Sequence, residues 1–284
     1  MALPIKTVPI FIIALNGGSR SDTLCRQLTQ LDIPFEIINA IEGSALDQTA
    51  LEEIYDERNA IRRVGRPMSP GEIGCALSHR SIYRLMAERG IAIALILEED
   101  AILGPQFKSL WQTASALPAD VDILLLYSEA GFVRRHPSAT LAECGLHQAT
   151  LMLSHAVGYI LRLACAEAIL RRTEHIDMVA DWPLDHREMR QFLAIPMPVG
   201  HNYVDSTINP DRPNKNLLGQ FQAPPWFSAL VYLTYAGYLL QPGRYEGLAN
   251  YYRREVARRL KRLFSPAEIN VGTLPAPQIM NGQI

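Results

Sequence analysis

Apolar runs of strand length alternate with segments of helical periodicity along most of the chain. Short apolar runs bounded by turn residues are typical of strands that are buried on both faces of a sheet. Leucines spaced three or four residues apart, as in 19–31, are typical of an amphipathic helix. The pattern predicts strands at 9–15, 35–41, 91–97, 121–127 and 156–163, and helices at 19–31, 45–63, 70–89, 164–172 and 184–193.

The longest predicted helix has clear signals at both ends. Ser69, Pro70 and Glu72 form the pattern of a capping box with proline at the first helical position. Gly90 follows the last periodic residue, where glycine commonly ends a helix. Strands alternating with helices predict an α/β fold, with a mostly parallel central sheet flanked by helices.

Three consecutive carboxylates, Glu98, Glu99 and Asp100, follow the predicted strand 91–97. In open α/β sheets, ligands bind beyond the carboxyl ends of the strands. Neighbouring carboxylates repel one another, and a hard divalent cation such as Mg²⁺ or Mn²⁺ would remove that penalty. The alternative for the triplet is a solvated loop after a strand.

Composition narrows the classes of protein to consider. The 284 residues are 48% hydrophobic and 20% charged, which suits one large domain or two small ones with a packed core. The net charge of −2 gives no reason to expect nucleic-acid binding. The cysteines lie far apart without a CxxC pair and are interpreted as free thiols in a reducing compartment: Cys25, Cys75, Cys144 and Cys165.

The N-terminal apolar run is interpreted as the first strand and not as a signal peptide. It is short, contains Pro9, and lacks a small-residue cleavage site before the Gly17-Gly18 turn. No stretch of the sequence reaches the roughly 20 apolar residues that a membrane-spanning helix needs. A cytoplasmic protein is therefore expected.

The stretch 69–103, SPGEIGCALSHRSIYRLMAERGIAIALILEEDAIL, resembles glycosyltransferase family 25. The family motif GExGCxxSH appears here from Gly71 to His79, and its strand-terminal Glu-Asp-Asp appears as Glu98-Glu99-Asp100. Weaker likenesses occur elsewhere in the chain, in the same order as in the family: IFIIALNGGSR at 10–20, Val157-Gly158-Tyr159-Ile160, Trp182-Pro183-Leu184-Asp185 and HNYVDSTI from His201.

The resemblance implies a GT-A-like fold and an inverting, metal-dependent transfer of a hexose. The implied donor is a UDP-hexose, usually UDP-galactose, and the implied acceptor is a cell-surface saccharide such as lipopolysaccharide or lipooligosaccharide. Mn²⁺ or Mg²⁺ is the implied cofactor. We expect the chain to divide into a catalytic domain at 1–215, a helical basic and aromatic extension at 216–272, and a flexible tail at 273–284.

Residue roles follow from the same resemblance. Asp100, Glu98 and His201 are the expected metal ligands, and the expected donor-binding residues are Glu98, Glu99, Asp100, Arg20 and Asn16. Asp185 is the expected general base, while Glu72, Ser78 and His79 are expected to position donor or acceptor.

Structural alternatives remain open for several of these residues. Glu99 could be a hydrogen-bond acceptor within the fold, His79 and His201 could be structural histidines, and Asp185 could cap the helix predicted after it. No role is predicted for His147, His155, His175 or His186.

The C-terminal part of the sequence contains an aromatic segment followed by a basic one, within residues 225–263. A basic amphipathic helix there could lie on an anionic membrane, which would suit a lipid-linked acceptor. The alternative is a helix that packs on the catalytic domain with its charges in water.

Two other functions are compatible with the sequence. A nucleotidyltransferase that makes the activated sugar would share a metal–diphosphate site, although its glycine-rich nucleotide loop is matched only by the short Gly17-Gly18-Ser19-Arg20. A non-catalytic relative would be expected to lose acids from the triplet, and this chain keeps all three.

Overall fold

A mixed β-sheet of ten strands, flanked by helices, forms the centre of the protein in a computed structural model. The structure describes residues 7–15, 19–64, 66–151, 153–184, 188–202, 268–277 and 279. Within these ranges the α-helices are α1 Asp22–Gln30, α2 Gln48–Ile54, α3 Glu57–Val64, α4 Pro70–Arg89, α5 Phe107–Thr113 and α6 Leu163–Arg172. The strands are β1 Ile10–Ala14, β2 Glu36–Asn39, β3 Ile93–Glu98, β4 Ala101–Leu103, β5 Ile123–Leu125, β6 Phe132–Arg134, β7 Ala139–Leu141, β8 Cys144–Leu151, β9 Gly158–Arg162, β10 Gln191–Ile195, β11 Val199–His201 and β12 Glu268–Asn270.

The sheet runs in the order β12-β6-β8-β10-β5-β9-β3-β1-β2, with β7 paired to β8. Pairing is parallel for β1–β2, β1–β3 and β5–β10, and antiparallel for the other pairs of this sheet. The predicted α/β class is confirmed, with a sheet that is parallel only in part. The parallel strands β1, β2 and β3 end at the same edge, where the acidic triplet follows β3.

The strands at the centre of the sheet are apolar along their whole length because both faces are covered. In β1 every residue is buried, and the same is true of β5. The main core joins these strands to the inner faces of α1, α4, α5 and α6 through side chains such as Leu28, Met86 and Leu110. Continuous apolar runs in the sequence therefore predicted these strands correctly.

The ends of α4 confirm the sequence prediction. The Ser69 side chain accepts from the backbone N–H of Glu72, and the Glu72 side chain accepts from the backbone N–H of Ser69. Gly90 ends the helix in the left-handed conformation at φ 62°. Glycine adopts this conformation without the steric cost that a Cβ brings.

The helix predicted at 184–193 is wrong. Gln191–Ile195 forms strand β10, which lies between β5 and β8 and is buried at four of its five residues. A short apolar run buried on both faces cannot be distinguished from a buried helical turn by periodicity alone. Asp185, the residue expected to cap that helix if it is not the general base, lies outside the described residues.

Most of the predicted C-terminal extension and tail lies outside the described residues, including the boundary at 215 and the basic segment 225–263. Glu268–Asn270, at the end of the extension, forms β12 and pairs antiparallel with β6 at the sheet edge. Among the described residues, no helix is both long and apolar enough to cross a bilayer.

A close contact between two glycines sets the position of α4 against the end of β2. A Cβ added at Gly74 would lie 2.4 Å from the carbonyl oxygen of Ile41 and 2.6 Å from the backbone nitrogen of Gly43. Both neighbouring atoms belong to the backbone, so neither can move aside as a flexible side chain would. The first turns of α4 can approach the end of β2 only because residue 74 lacks a Cβ.

We expect Gly74→Ala to destabilise the protein by about 1–3 kcal/mol, the usual cost of overpacking. Alanine is the better helix former by roughly 0.5–1 kcal/mol, so helix propensity alone predicts the opposite sign. Urea unfolding of both proteins measures the difference. A variant as stable as the parent would show that the glycine contact does not constrain α4.

Candidate functional site

A cavity of about 270 Å³ opens at the carboxyl ends of β1, β2 and β3. Its lining includes the acidic triplet, Arg20, the segment 40–44 that follows β2, and Gly71, Cys75 and Ser78 from the first turns of α4. The triplet thus forms one wall of a polar cavity at the strand edge where α/β proteins bind ligands. The alternative interpretation, that the triplet is a loop exposed to solvent, does not agree with this position.

Glu99 is held by the end of β1. Its carboxylate accepts from the backbone N–H of Leu15 at 3.1 Å and lies 3.5 Å from Nε of Arg20. Burial raises the pKa of Glu99, although the Leu15 hydrogen bond and the Arg20 charge act against that rise. Glu99 therefore accepts a hydrogen bond within the fold, as the alternative interpretation of this residue expected. It also lines the cavity.

Asp100 and His201 lie next to each other. Strands β4 and β11 pair antiparallel with Ala101 opposite His201, and the backbone N–H of Asn202 donates to the Asp100 carbonyl at 2.9 Å. This pairing places His201 Nε2 3.1 Å from Asp100 Oδ2. The other carboxylate oxygen, Oδ1, is buried and has no hydrogen-bond partner among the described residues.

His201 is half-buried beside several carboxylates. Burial alone would lower the pKa of His201, but the hydrogen bond and charge of Asp100 outweigh it, and Glu98 and Glu129 add to the rise. The pKa of His201 is therefore raised above its usual 6.5. When His201 is protonated, its imidazolium forms an ion pair with Asp100.

Glu98 is held by a chain of buried side chains. His79 Nε2 lies 2.9 Å from Glu98 Oε1, His79 Nδ1 lies 2.7 Å from the Tyr159 hydroxyl, and that hydroxyl lies 2.8 Å from the hydroxyl of Tyr83. A carboxylate only accepts, so His79 donates from Nε2, and in the neutral ring Nδ1 then accepts from Tyr159. Sequence analysis did not predict this chain, because its members lie up to 80 positions apart.

The donor atoms at this edge suit a divalent cation. Glu98 and Asp100 offer carboxylate oxygens, the ligands that Mn²⁺ and Mg²⁺ prefer, although among the described residues the donor atoms of these two and of His201 are not all within 4.8 Å of one another. The buried Oδ1 of Asp100 without a partner is the observation that fits such an ion, since a buried carboxylate oxygen needs a hydrogen bond or a cation. The expected ligands Glu98, Asp100 and His201 therefore lie at one edge.

The three residues expected to position a substrate differ in what they contact. Glu72 is 2% exposed in its side chain and pairs with Arg66, besides its role in the capping box. It is absent from the cavity lining described above. Ser78 accepts from the Ile41 N–H at 2.8 Å and donates to the Gly74 carbonyl, so it lines the cavity while fixing α4 to β2. His79 reaches the cavity only through Glu98.

The structure does not place every expected site residue. Asn16 and Asp185 lie outside the described residues. Arg20 lines the cavity, and its guanidinium lies 3.9 Å from Asp100 as well as close to Glu99.

A polar cluster near His201 was missed by the sequence analysis. His155 Nε2 lies 3.0 Å from Glu129, Tyr127 donates to Glu129 at 2.5 Å, and the His155 and His201 ring centroids are 6.0 Å apart. His155 has φ 69°, and its backbone N–H donates to Asp181 at 2.9 Å. The available signal was position: residues 127–129 follow β5, and His155 precedes the antiparallel β9, so both lie at the edge that carries the triplet.

Comparison with known proteins gives a family match over most of the described chain. The family described as "Glycosyltransferase family 25 (LPS biosynthesis protein)" matches residues 7–184. A "Putative glycosyltransferase" of Haemophilus influenzae is 24% identical over 214 residues, which are 73% of this chain and 74% of that protein. Human "Procollagen galactosyltransferase 2" is 34% identical over 103 residues, 35% of this chain and 16% of that protein.

Two further comparisons complete these findings. Human "Inactive glycosyltransferase 25 family member 3" is 26% identical over 205 residues, 65% of this chain and 33% of that protein. The chain spans less than a third of the length of the procollagen galactosyltransferases that it matches. A solved "mannose-1-phosphate geranyltransferase" from Thermus thermophilus is 10% identical, with a TM-score of 0.36 over 67% of this chain and 74% of that one.

The raised pKa of His201 predicts how its contribution to stability depends on pH. A group whose pKa is higher in the folded state stabilises the protein fully below its unfolded pKa of about 6.5, and this contribution is lost as pH rises through the folded pKa. Urea unfolding in chelator from pH 5.5 to 9 should therefore show the parent's advantage over His201→Gln falling as pH rises. A difference that is constant or grows with pH would contradict the ion pair with Asp100.

Proposed function

The chain belongs to glycosyltransferase family 25, and we propose that it transfers a hexose from a nucleotide-sugar donor to a saccharide acceptor, with a divalent cation held at Asp100 and Glu98. The observation that carries this proposal is the buried Asp100 Oδ1, which has no hydrogen-bond partner among the described residues and lies in a residue that lines the cavity. Buried polar atoms normally have a hydrogen-bond partner, so a bound cation would account for this oxygen.

The cavity lining is acidic apart from Arg20, so a sugar-nucleotide diphosphate could bind there only with a cation that offsets the carboxylates. The leaving group gains negative charge as the glycosidic bond breaks, and a bound cation would supply charge stabilisation at that point. Arg20 adds a fixed positive charge next to the triplet, 3.9 Å from Asp100. The segment 40–44 also lines the cavity and is proposed to contact the nucleoside.

The donor and acceptor are proposed by similarity. Relatives carry the name procollagen galactosyltransferase, which favours UDP-galactose as the donor. The family description names lipopolysaccharide biosynthesis, which favours a cell-surface saccharide as the acceptor. The proposal includes Mn²⁺ as the first cation to test, because Mn²⁺ prefers the carboxylate oxygens that Glu98 and Asp100 offer.

Inversion by direct displacement needs a base that takes the proton from the acceptor hydroxyl. Asp185 is the proposed base. The described segment that leads to it is held in place, because Arg63 pairs with Asp177 and donates to the Pro183 carbonyl. The cluster of Tyr127, Glu129 and His155 lies near His201, where it can contact acceptor hydroxyls.

The proposal extends to the acceptor's location. A lipid-linked saccharide would bring the enzyme to the inner face of the cytoplasmic membrane, and the basic segment 225–263 is proposed to contact anionic lipid there. A binding protein without catalysis is the second candidate, because one relative is named an inactive member of the same family.

Donor binding is the first property to measure. Calorimetric titration with UDP-galactose, UDP-glucose and UDP, each with and without Mn²⁺, should show binding that needs the metal and that Asp100→Asn weakens at least tenfold. Asp122→Asn is the matched control, since Asp122 pairs with Arg190 just before β5, at the opposite edge of the sheet. Tight binding without metal, unchanged in Asp100→Asn, would refute the cation site.

The role of Asp185 is tested separately from donor binding. We expect Asp185→Asn to lower the transfer rate by about 10²–10⁴, the usual contribution of a general base, while the affinity for metal and UDP stays unchanged. Radiolabelled transfer to lipooligosaccharide acceptors gives the rate, and calorimetry gives the affinity. Equal loss of both would assign Asp185 to the donor site, and metal-dependent binding without any transfer by the parent would favour the binding protein.

A further inference from the structure

Three potential metal ligands of a different kind surround Glu98. Cys75 and His79 are four residues apart on α4 and therefore lie on the same face of the helix, one turn apart. Glu98 ends β3 opposite that face. The sulfur of Cys75, a ring nitrogen of His79 and a carboxylate oxygen of Glu98 all lie within 4.8 Å of one another.

The distances are close to those of a tetrahedral zinc site. Zinc bound to sulfur at about 2.3 Å and to nitrogen and oxygen at about 2.0–2.1 Å would separate S from O by about 3.6 Å and N from O by about 3.3 Å. The Cys75 sulfur is 3.8 Å from Glu98 Oε1, and His79 Nε2 is 2.9 Å from the same oxygen. The sulfur and the His79 nitrogen lie within 4.8 Å of each other, so small side-chain shifts would be needed to complete the geometry.

The hydrogen bond between His79 Nδ1 and Tyr159 also suits a metal-binding histidine. A metal-bound histidine nearly always has its second ring nitrogen fixed by a hydrogen bond. Here Nδ1 lies 2.7 Å from the Tyr159 hydroxyl, which is itself 2.8 Å from the Tyr83 hydroxyl. Both hydroxyls can donate or accept, so a change of histidine tautomer leaves Nδ1 donating to Tyr159 and frees the Nε2 lone pair for a metal.

We propose that Cys75, His79 and Glu98 form a binding site for a soft divalent cation, with Zn²⁺ as the ion of choice, and that its occupation blocks the donor site. Thiolate and imidazole ligands select zinc over Mn²⁺ and Mg²⁺, which prefer oxygen. Cys75 and Glu98 line the cavity, so an ion can enter from it and keep a fourth position for water. Binding releases the thiol proton of Cys75 to solvent and forms the zinc–sulfur bond in its place.

Zinc would block donor binding because both metal sites use the Glu98 carboxylate. Glu98 is a proposed ligand of the cation that binds the donor diphosphate, and a zinc ion on the same carboxylate would compete for its charge and repel a second divalent cation beside it. Zinc at this site would therefore lower the affinity for the donor. This consequence rests on the proposed function, whereas the metal site itself does not.

Cobalt absorption tests the metal site without any substrate. Metal-free, reduced protein titrated with Co²⁺ should develop a thiolate-to-cobalt charge-transfer band, which Zn²⁺ then abolishes by displacing the cobalt. Cys75→Ser should remove the band, and Tyr159→Phe should weaken Co²⁺ binding about 10–100-fold by releasing His79. Cys25→Ser is the matched control, because Cys25 is the other half-buried free thiol. Thermal melting followed by circular dichroism confirms that each variant is folded.

A second measurement tests the block. The dissociation constant of UDP in Mn²⁺ is measured with and without added Zn²⁺. Zinc should raise this constant more than tenfold in the parent and leave it nearly unchanged in Cys75→Ser. The comparison is made within each protein, so the affinity of the variant without zinc does not affect it. Absence of the cobalt band in the parent, or its persistence in Cys75→Ser, would refute the metal site. A specific band with no zinc effect on UDP would refute the block. If UDP never binds, the proposed function fails, and the cobalt band still decides the metal site.

Discussion

Three adjacent carboxylates at the end of a buried strand repel one another, and the site depends on how each is compensated. Glu98 accepts from His79 of α4, Glu99 accepts from the Leu15 backbone beyond β1, and Asp100 pairs with His201 of β11. Each partner comes from a different element. The triplet can therefore exist in this form only when the helix, the first strand and the β4–β11 pair are all assembled around it.

This division of partners also separates the roles of the three acids. Glu99 is directed into the fold and ties the loop to β1, while Asp100 keeps a buried oxygen without a hydrogen-bond partner among the described residues. Glu98 lies between α4 and the cavity, where a soft and a hard cation would both find ligands. Close packing of Gly74 against residues 41–43 holds α4 near enough for His79 to reach Glu98.

Much of the N-terminal fold was predictable because its signals are local. The capping box at Ser69 and Glu72, the stop at Gly90 and the apolar runs of β1 and β3 are each set by a few neighbouring residues. The error at Gln191–Ile195 has a physical cause, since a strand buried on both faces has no alternation of its own. Short antiparallel strands such as β6 and β7 were missed, because they depend on pairing with β8 and have little pattern of their own.

The sequence by itself determined that an acidic triplet ends a buried strand, that α4 begins and ends where it does, and that the chain resembles one glycosyltransferase family. These features are fixed by residues within one helix or one strand. The tertiary structure decided that His201 approaches Asp100, that Tyr159 and Tyr83 support His79, and that His155 lies near His201. Such contacts join residues up to about a hundred positions apart, and only the pairing and packing of whole elements brings them within hydrogen-bond distance.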